Sequence, residues 1–392
     1  MDKTIVISQD MPSSSSGTFI LGDAYEVLRD LVKIHAGHID LIYMDPPSVS
    51  NSTYCISSAK SKTAKTKVYS DFKTSECYLD YIRSILPLCH DLLSRSGTLF
   101  FHCTPLLSAY IRIELDKVFG KKNYVNEIVS PFKSKGRSTR RFSQRHDCIL
   151  VYAVSKAYYF NTINAGQARG EMQDNHLKKS FDEDGRIYYT VNSRGKKYRY
   201  YADEPVAPSD IWNDIDSIGP NHVEHTGYPG QKPIDLLKRI LLTASKQNAT
   251  VLDVFSGSGS LAVAAIETGR SWISIDNSPI ALLTLRKRIQ SMDTPIIQNT
   301  NKASFISQIT PCFMGDIEIS EKISTQDSVI SIDNSDKSII YAALGEISGG
   351  SFIPAVFTYK RTDRIAFNSS HVGNNIALHI TFSDYTEKVI LM

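Results

Sequence analysis

The chain has 392 residues, of which 42% are hydrophobic and 22% are charged, so it has enough apolar sequence for two or three ordinary domain cores. No apolar stretch reaches the roughly twenty residues of a membrane span, and the first sixteen residues lack the apolar core of a signal peptide. The net charge is +3, but residues 301–392 carry −3, so the first 300 carry +6 and are the better surface for an anionic partner.

The cysteines form no CxxC pair and no Cys/His cluster with zinc spacing. We therefore expect reduced thiols, a cytoplasmic protein without a membrane segment, and no metal site. The six cysteines are Cys55, Cys77, Cys89, Cys103, Cys148 and Cys312.

Predicted elements begin after a lead-in at residues 1–16, which we expect to be flexible because it ends in a run of four serines. From Thr18 onward, strand-like and helix-like segments alternate through "TFIL", "HIDLIYM" and "SGTLFFHC". Such alternation predicts a parallel sheet covered by helices on both faces.

The alternation stops at about residue 125 and returns at about residue 215. The segment between is rich in lysine, arginine and tyrosine, which predicts a module inserted into one α/β domain that spans residues 17–300. After residue 300 the chain reads as short strands, so residues 301–392 are predicted to form a small β-rich domain.

The first chemical motif is "DLIYMDPPS", an apolar strand that ends in an acid, two prolines and a serine. Prolines cannot continue the hydrogen-bond ladder of a sheet, so Asp45 is held on a stiff backbone where the strand stops. Asp45, Pro46, Pro47 and Ser48 therefore form a stiff turn that can hold one carboxylate rigidly at the sheet edge.

Two basic stretches lie in the predicted insert. "PFKSKGRSTRRFSQRH", residues 131–146, has no acid, and residues 177–201 interleave basic and aromatic side chains. Charge runs are usually solvated faces, but this composition also suits phosphate contact and base reading. The candidate nucleic-acid contacts are Lys133, Lys135, Arg137, Arg140, Arg141, Arg145, Lys196 and Lys197.

A glycine-rich turn follows the strand of "VLDVFSGSGSLAVAA". Gly257 and Gly259 let a cofactor approach the backbone where the next helix offers free N–H groups, and Asp276 ends the following strand, where an acid accepts hydrogen bonds from a ribose. These residues alone leave open whether the cofactor is NAD or S-adenosylmethionine.

Together, "MDPPS" and "FSGSG" resemble the motif pair of DNA amino-methyltransferases, in the order of the β group that includes the modification subunits of type III restriction systems. The resemblance covers nearly all of residues 17–291. It implies a Rossmann-like sheet, S-adenosylmethionine as cofactor, double-stranded DNA as substrate, and the insert as a target-recognition module. It also assigns catalysis to Asp45, Pro46, Pro47 and Ser48. The cofactor contacts that it assigns are Asp23, Lys232 of "GYPGQKP", Phe255, Gly257, Gly259 and Asp276.

In this family the target base is flipped into a pocket, the acid accepts a hydrogen bond from its exocyclic amine, and an aromatic residue after Pro-Pro stacks on the base. Here Ser48 replaces that aromatic residue, and Tyr54 is the nearest substitute. We expect adenine N6 to be methylated, since in this family the Asp-Pro-Pro form of the motif is associated with adenine rather than cytosine as the target base. The alternatives are cytosine N4, an RNA substrate and a DNA-binding pseudo-enzyme, and the partner hypotheses are a homodimer and a restriction-system subunit.

Overall fold

A computed structural model describes residues 5–10, 16–58, 61–132, 139–161, 163–168 and 178–290, followed by separate strands between residues 322 and 391. The helices are α1 (Ala24–His35), α2 (Ser75–Leu92), α3 (Pro105–Phe119), α4 (Ile234–Ala244), α5 (Ser260–Thr268) and α6 (Pro279–Gln290), with short 3-10 turns at Lys121–Asn123 and Ile163–Ala165.

The strands of the first 290 residues are β1 (Ile5–Asp10), β2 (Ser16–Leu21), β3 (Ile39–Met44), β4 (Thr53–Ser58), β5 (Ser61–Ser70), β6 (Leu93–Cys103), β7 (Tyr124–Pro131), β8 (His146–Ala153), β9 (Gln167–Ala168), β10 (Lys179–Phe181), β11 (Ile187–Ser193), β12 (Lys196–Tyr201), β13 (Pro205–Val206), β14 (Thr250–Asp253) and β15 (Ser271–Asp276). The later strands are β16 (Lys322–Gln326), β17 (Val329–Asp333), β18 (Ile339–Ser348), β19 (Ser351–Thr358), β20 (Arg364–Asn368), β21 (Ile376–Phe382) and β22 (Glu387–Leu391).

Eight strands form the central sheet, in the order β1-β2-β15-β14-β3-β6-β8-β7. The five inner strands, β2, β15, β14, β3 and β6, run parallel to one another. Strand β1 is antiparallel to β2, β8 is antiparallel to β6, and β7 is antiparallel to β8. The predicted α/β sheet is therefore confirmed as a mostly parallel one. Strand β1 lies within the segment that we expected to be a flexible lead-in.

The helices cover both faces of this sheet. Ile42 and Met44 of β3 pack into a core with α1, α2 and α3, whereas Leu41 and Tyr43 pack into a second core with α4, α5 and α6. Side chains of a strand alternate between faces, and both faces of β3 are apolar because both are buried.

The start of the predicted insert belongs to the central sheet rather than to a separate module. Strand β8 pairs with β6, and β7 pairs with β8 at the sheet edge. The apolar run Ile149–Tyr152 of β8 is fully buried, which explains why these residues join the main core. Among the described residues of the rest of the insert, β10, β11 and β12 form a small sheet, and β9 pairs with β13.

After residue 322 the described strands form two antiparallel sheets, one of three strands (β16, β17 and β20) and one of four (β19, β18, β21 and β22).

Candidate functional site

A cavity of about 430 Å³ opens where the parallel strands of the central sheet end. Ligand sites of open α/β sheets lie at this edge, because the loops after neighbouring strands diverge there. The cavity is lined by Tyr54 and by every predicted catalytic and cofactor-binding residue except Gly259: Asp23, Asp45, Pro46, Pro47, Ser48, Lys232, Phe255, Gly257 and Asp276.

Asp71, a buried acid that follows β5, holds the turn after β3 in place through hydrogen bonds. The backbone N–H of Ser48 donates to Asp71 Oδ1 at 2.9 Å, and the Ser50 hydroxyl donates to Asp71 Oδ2 at 2.5 Å. The Phe72 N–H donates back to the Ser48 carbonyl at 2.8 Å. The Pro-Pro-Ser turn and the β4–β5 hairpin are therefore one connected unit.

Lys232 contacts Asp45 directly, although the two residues are 187 positions apart. Lys232 Nζ donates to Asp45 Oδ2 at 2.6 Å, and the side chains are 21% and 25% exposed. Burial disfavours the charge on Lys232, but the carboxylates of Asp45, Asp147 and Asp253 outweigh it and raise the pKa of Lys232 above its ordinary value. The sequence assigned Lys232 to the cofactor, and the geometry adds a role in holding Asp45.

Asp253, which ends β14, is a further acid of this cavity that the sequence analysis overlooked. Its side chain is buried, and its Oδ1 accepts from the Phe255 N–H at 3.3 Å. Burial raises its pKa well above the ordinary value for an aspartate. The sequence does show an acid inside the otherwise apolar segment "VLDVF", and this feature could have identified Asp253 as a candidate site residue.

His102 forms part of the cavity wall between a tyrosine and an acid. Its Nδ1 lies 2.8 Å from the Tyr43 hydroxyl, and its Nε2 lies 3.4 Å from Asp147 Oδ2. Burial works against ionisation of Asp147, but the hydrogen bond from His102 and the charge effects of His102, Lys232 and His146 together outweigh it and lower the pKa of Asp147. The sequence analysis assigned His102 no role in the site.

The glycine-rich turn between β14 and α5 leaves room for a ligand against its backbone. Gly257 has φ +52°, and a Cβ added there would lie 3.3 Å from the Tyr228 ring, inside the cavity. The Gly257 N–H donates to Asp276 Oδ2 at 2.7 Å, and the Ser278 N–H donates to Asp276 Oδ1 at 2.8 Å. A carboxylate has about four acceptor positions, so Asp276 can still accept from a ribose.

Two predicted cofactor residues have local structural roles as well. Gly259 begins α5 with φ +76°, and a side chain there would collide with Leu285 of α6, so it allows close helix packing. Asp23 caps α1, because its Oδ1 accepts from the Tyr25 N–H at 2.9 Å. The Tyr81 hydroxyl donates to Asp23 Oδ2 at 3.1 Å, which leaves Asp23 at the cavity edge.

Three tyrosines stack along one wall of the cavity. Tyr54 and Tyr69 are directly opposite on β4 and β5, with ring centroids 4.8 Å apart and an interplanar angle of 26°. Tyr69 in turn lies 6.4 Å from Tyr228, which covers Gly257. The sequence pointed to Tyr54 alone. In the structure Tyr54 lies on a two-stranded hairpin opposite Tyr69, a residue that the sequence analysis missed.

Five of the predicted nucleic-acid contacts are described, and they lie on the surface away from the cavity. Arg140, Arg141 and Arg145 are exposed beside a fully exposed Phe142, and Lys196 and Lys197 are exposed on β12. None of these residues lines the cavity. Lys133, Lys135 and Arg137 lie outside the described residues.

Within the described ranges, no group of three or more histidine, cysteine or acidic side chains is placed to hold a metal ion. No helix in the same part of the chain is both long and apolar enough to cross a membrane.

Comparison with known proteins identifies the family. A family model described as DNA methylase, for N6 and N4 methyltransferases, matches residues 39–284. The chain belongs to this DNA methylase family. The resemblance inferred from the two motifs is therefore confirmed, and this methylase uses S-adenosylmethionine as its methyl donor.

Among its relatives, the type II methyltransferase M.EcaI from Enterobacter cloacae is 24% identical over 395 residues, covering 88% of this methylase and 86% of the relative. The DNA adenine methyltransferase YhdJ of Escherichia coli strain K12 is 26% identical over 276 residues, covering 69% and 82%. The structure of the cytosine-N4-specific PvuII DNA methyltransferase matches with 12% identity and a TM-score of 0.48, covering 72% and 89%.

The residues of the methylase fit the cofactor that its family uses. The backbone of Gly257 lines the cavity beside the Tyr228 ring, and Asp276 presents acceptor positions next to it. These residues would hold the nucleoside part, and bound S-adenosylmethionine would supply an electrophilic methyl group on a sulfonium.

Proposed function

We propose that this DNA methyltransferase transfers a methyl group to N6 of an adenine that is flipped out of double-stranded DNA into the cavity. The observation that carries the proposal is the meeting of Asp45, the Gly257 turn and the Tyr54–Tyr69 pair in one cavity. The Asp-Pro-Pro sequence and the name of the Escherichia coli relative, a DNA adenine methyltransferase, support adenine rather than cytosine.

Methyl transfer to an exocyclic amine requires the protein to position a weak nucleophile. The lone pair of an exocyclic amine is delocalised into the ring, and a hydrogen bond to a carboxylate increases electron density on the nitrogen. Lys232 occupies Asp45 Oδ2, so Oδ1 is the oxygen that we assign to the amine. The Pro46 carbonyl takes the second amine hydrogen, and the two prolines keep this geometry rigid.

The tyrosine pair supports an active enzyme despite Ser48. Stacking of a base on an aromatic ring contributes about 1–3 kcal/mol, which a serine cannot supply. Tyr54 and Tyr69 line the same cavity and are tied to the Ser48 turn through Asp71. We assign to this pair the stacking role that an aromatic residue at position 48 has in the family.

The basic insert and the partners of the enzyme give further hypotheses. The exposed Arg140 and Arg141 contact DNA phosphates, and the rest of the insert recognises the target sequence. The partner hypotheses, a homodimer and a restriction-system subunit, are testable by light scattering and by co-purification.

The test is methylation of duplex DNA with labelled S-adenosylmethionine, followed by mass spectrometry of the nucleosides. We expect N6-methyladenine from the wild type and none from Asp45→Ala or Asp45→Asn, while calorimetry shows cofactor affinity close to wild type in both variants. N4-methylcytosine would overturn the choice of base. A product on RNA alone would overturn the substrate, and a wild type that binds DNA and cofactor without any product would identify a pseudo-enzyme.

A further inference from the structure

We propose that one face of the β11–β12 hairpin reads the DNA sequence in the major groove, through Asn192, Lys197 and Arg199. This inference rests on the proposed function, since it names the element that selects the target of the methylation reaction. We call this surface the reading face, and its members are Tyr188, Thr190, Asn192, Lys197, Arg199 and Tyr201.

The register of the hairpin places these residues on one side. Thr190 is directly opposite Arg199, and Asn192 is directly opposite Lys197, so these four side chains share a face. Tyr189 points to the other face and is 1% exposed, so that other face packs against the protein at this point. The reading face is consequently the one that a partner can reach.

Aromatic stacking orders Arg199 before any DNA arrives. The Arg199 guanidinium lies over the Tyr188 ring, 4.8 Å from its centroid, and Tyr188 lies 5.7 Å from Tyr201. Stacking uses the flat face of a guanidinium and leaves its N–H fork free in the ring plane. An arginine held in this way loses less side-chain entropy on binding.

The charge distribution orients the hairpin. Residues 192–199 are all exposed, and the turn between the strands carries Arg194 (φ +51°) and Gly195 (φ +77°), followed by Lys196 and Lys197. The turn between β10 and β11, at the opposite end of the hairpin, carries the acids Asp182, Glu183 and Asp184, whereas Asp203 there is paired with Arg186. The basic tip therefore approaches a polyanion, and the acid-bearing end stays away from it.

The partner that fits this surface is the major groove of duplex DNA. That groove is about 12 Å wide and admits a two-stranded β-ribbon, and its base edges carry a distinct donor and acceptor pattern. Arginine pairs with guanine and asparagine with adenine through two hydrogen bonds each. Asn192 and Arg199 supply both types of side chain on neighbouring cross-strand pairs of the reading face.

The experiment measures the recognised sequence by methylating a library of random duplexes and sequencing the modified sites. Lys197→Ala and Lys196→Ala form a matched pair, because the two lysines are adjacent and exposed but lie on opposite faces. Asn192→Ala, Arg199→Ala and Arg199→Lys complete the set, and cofactor affinity and thermal unfolding check that every variant is folded.

We expect Asn192→Ala and Arg199→Ala each to relax the preference at one position by about 5- to 150-fold, the size of one paired base contact. Arg199→Lys should relax it as well, because lysine lacks the fork. Lys197→Ala should change the sequence preference, whereas Lys196→Ala should lower methylation evenly across sequences. If all these variants keep the wild-type preference while the wild type methylates a defined site, the inference is wrong and the proposed function stands. A wild type without product would instead reject the proposed function.

Discussion

Replacing Lys232 with methionine removes the ammonium that contacts Asp45 and keeps most of the side-chain volume. The substitution leaves the Asp45 carboxylate without the cation that donates to it. Asp45 is then no longer held in the position that we propose for its contact with the amine of the base.

The magnitude follows from the geometry of the pair. A hydrogen bond between charged groups contributes about 1.5–3 kcal/mol, and at 2.6 Å with both side chains about three-quarters buried the full range applies. If that contribution is lost in the transition state, the methyl-transfer step slows by about 10- to 150-fold. Lys232→Arg, which keeps the charge, should lose less.

The assay is single-turnover methylation of one duplex substrate, with cofactor affinity measured by calorimetry. Lys238→Met is the control, because Lys238 lies on the neighbouring helix α4 and pairs with Glu267 outside the cavity. We expect a slower step with a small change in cofactor affinity. A variant that keeps the wild-type rate at saturating cofactor but binds S-adenosylmethionine far more weakly would refute this reasoning, and would assign Lys232 to the cofactor alone.

Three further predictions concern the other parts of the site. Burial raises the pKa of Asp276 to about 6, so Asp276 takes a proton as the pH falls through that value. Calorimetry should therefore show that the affinity for the cofactor falls by up to about tenfold per pH unit below pH 6. The Asp276→Asn variant should bind the cofactor weakly at every pH. Ser48→Tyr should lower the single-turnover rate, because the added ring crowds the base. Tyr69→Ala should weaken base binding by about 5- to 150-fold, because a stacking partner is lost. A faster Ser48→Tyr enzyme together with an unchanged Tyr69→Ala enzyme would contradict our assignment. Arg140→Ala combined with Arg141→Ala should weaken DNA binding and reduce the salt slope by about two, whereas an unchanged slope would place both side chains in solvent.

Much of the fold could be predicted because its information is local. The apolar run of β3 and the helical periodicity of α1 and α4 are visible within a dozen residues, and the order of these elements implies a parallel sheet. The cavity residues at strand ends followed from the same reasoning, since carboxyl ends of parallel strands meet at one edge.

The missing parts depend on contacts between distant residues. Lys232 meets Asp45 across 187 positions, and no local pattern encodes that distance. Tyr69 becomes part of the site only because the register of the β4–β5 hairpin sets it opposite Tyr54. Strand β8 was assigned to the insert because a strand that runs antiparallel to its neighbours breaks the expected alternation, although its burial places it in the main core.

The order of strands in the central sheet has a consequence for how the protein folds during synthesis. Strand β3 lies between β6, which follows it closely, and β14, whose Thr250 N–H donates to Asp40 across 210 positions. At a synthesis rate of about 5–20 residues per second, β14 is made about 10–40 s after β3, and until then one edge of β3 remains unpaired. The methyl-transfer cavity therefore forms only after the central sheet closes, whereas the β11–β12 hairpin, whose contacts are local, can fold while the ribosome is still producing the second half of the enzyme.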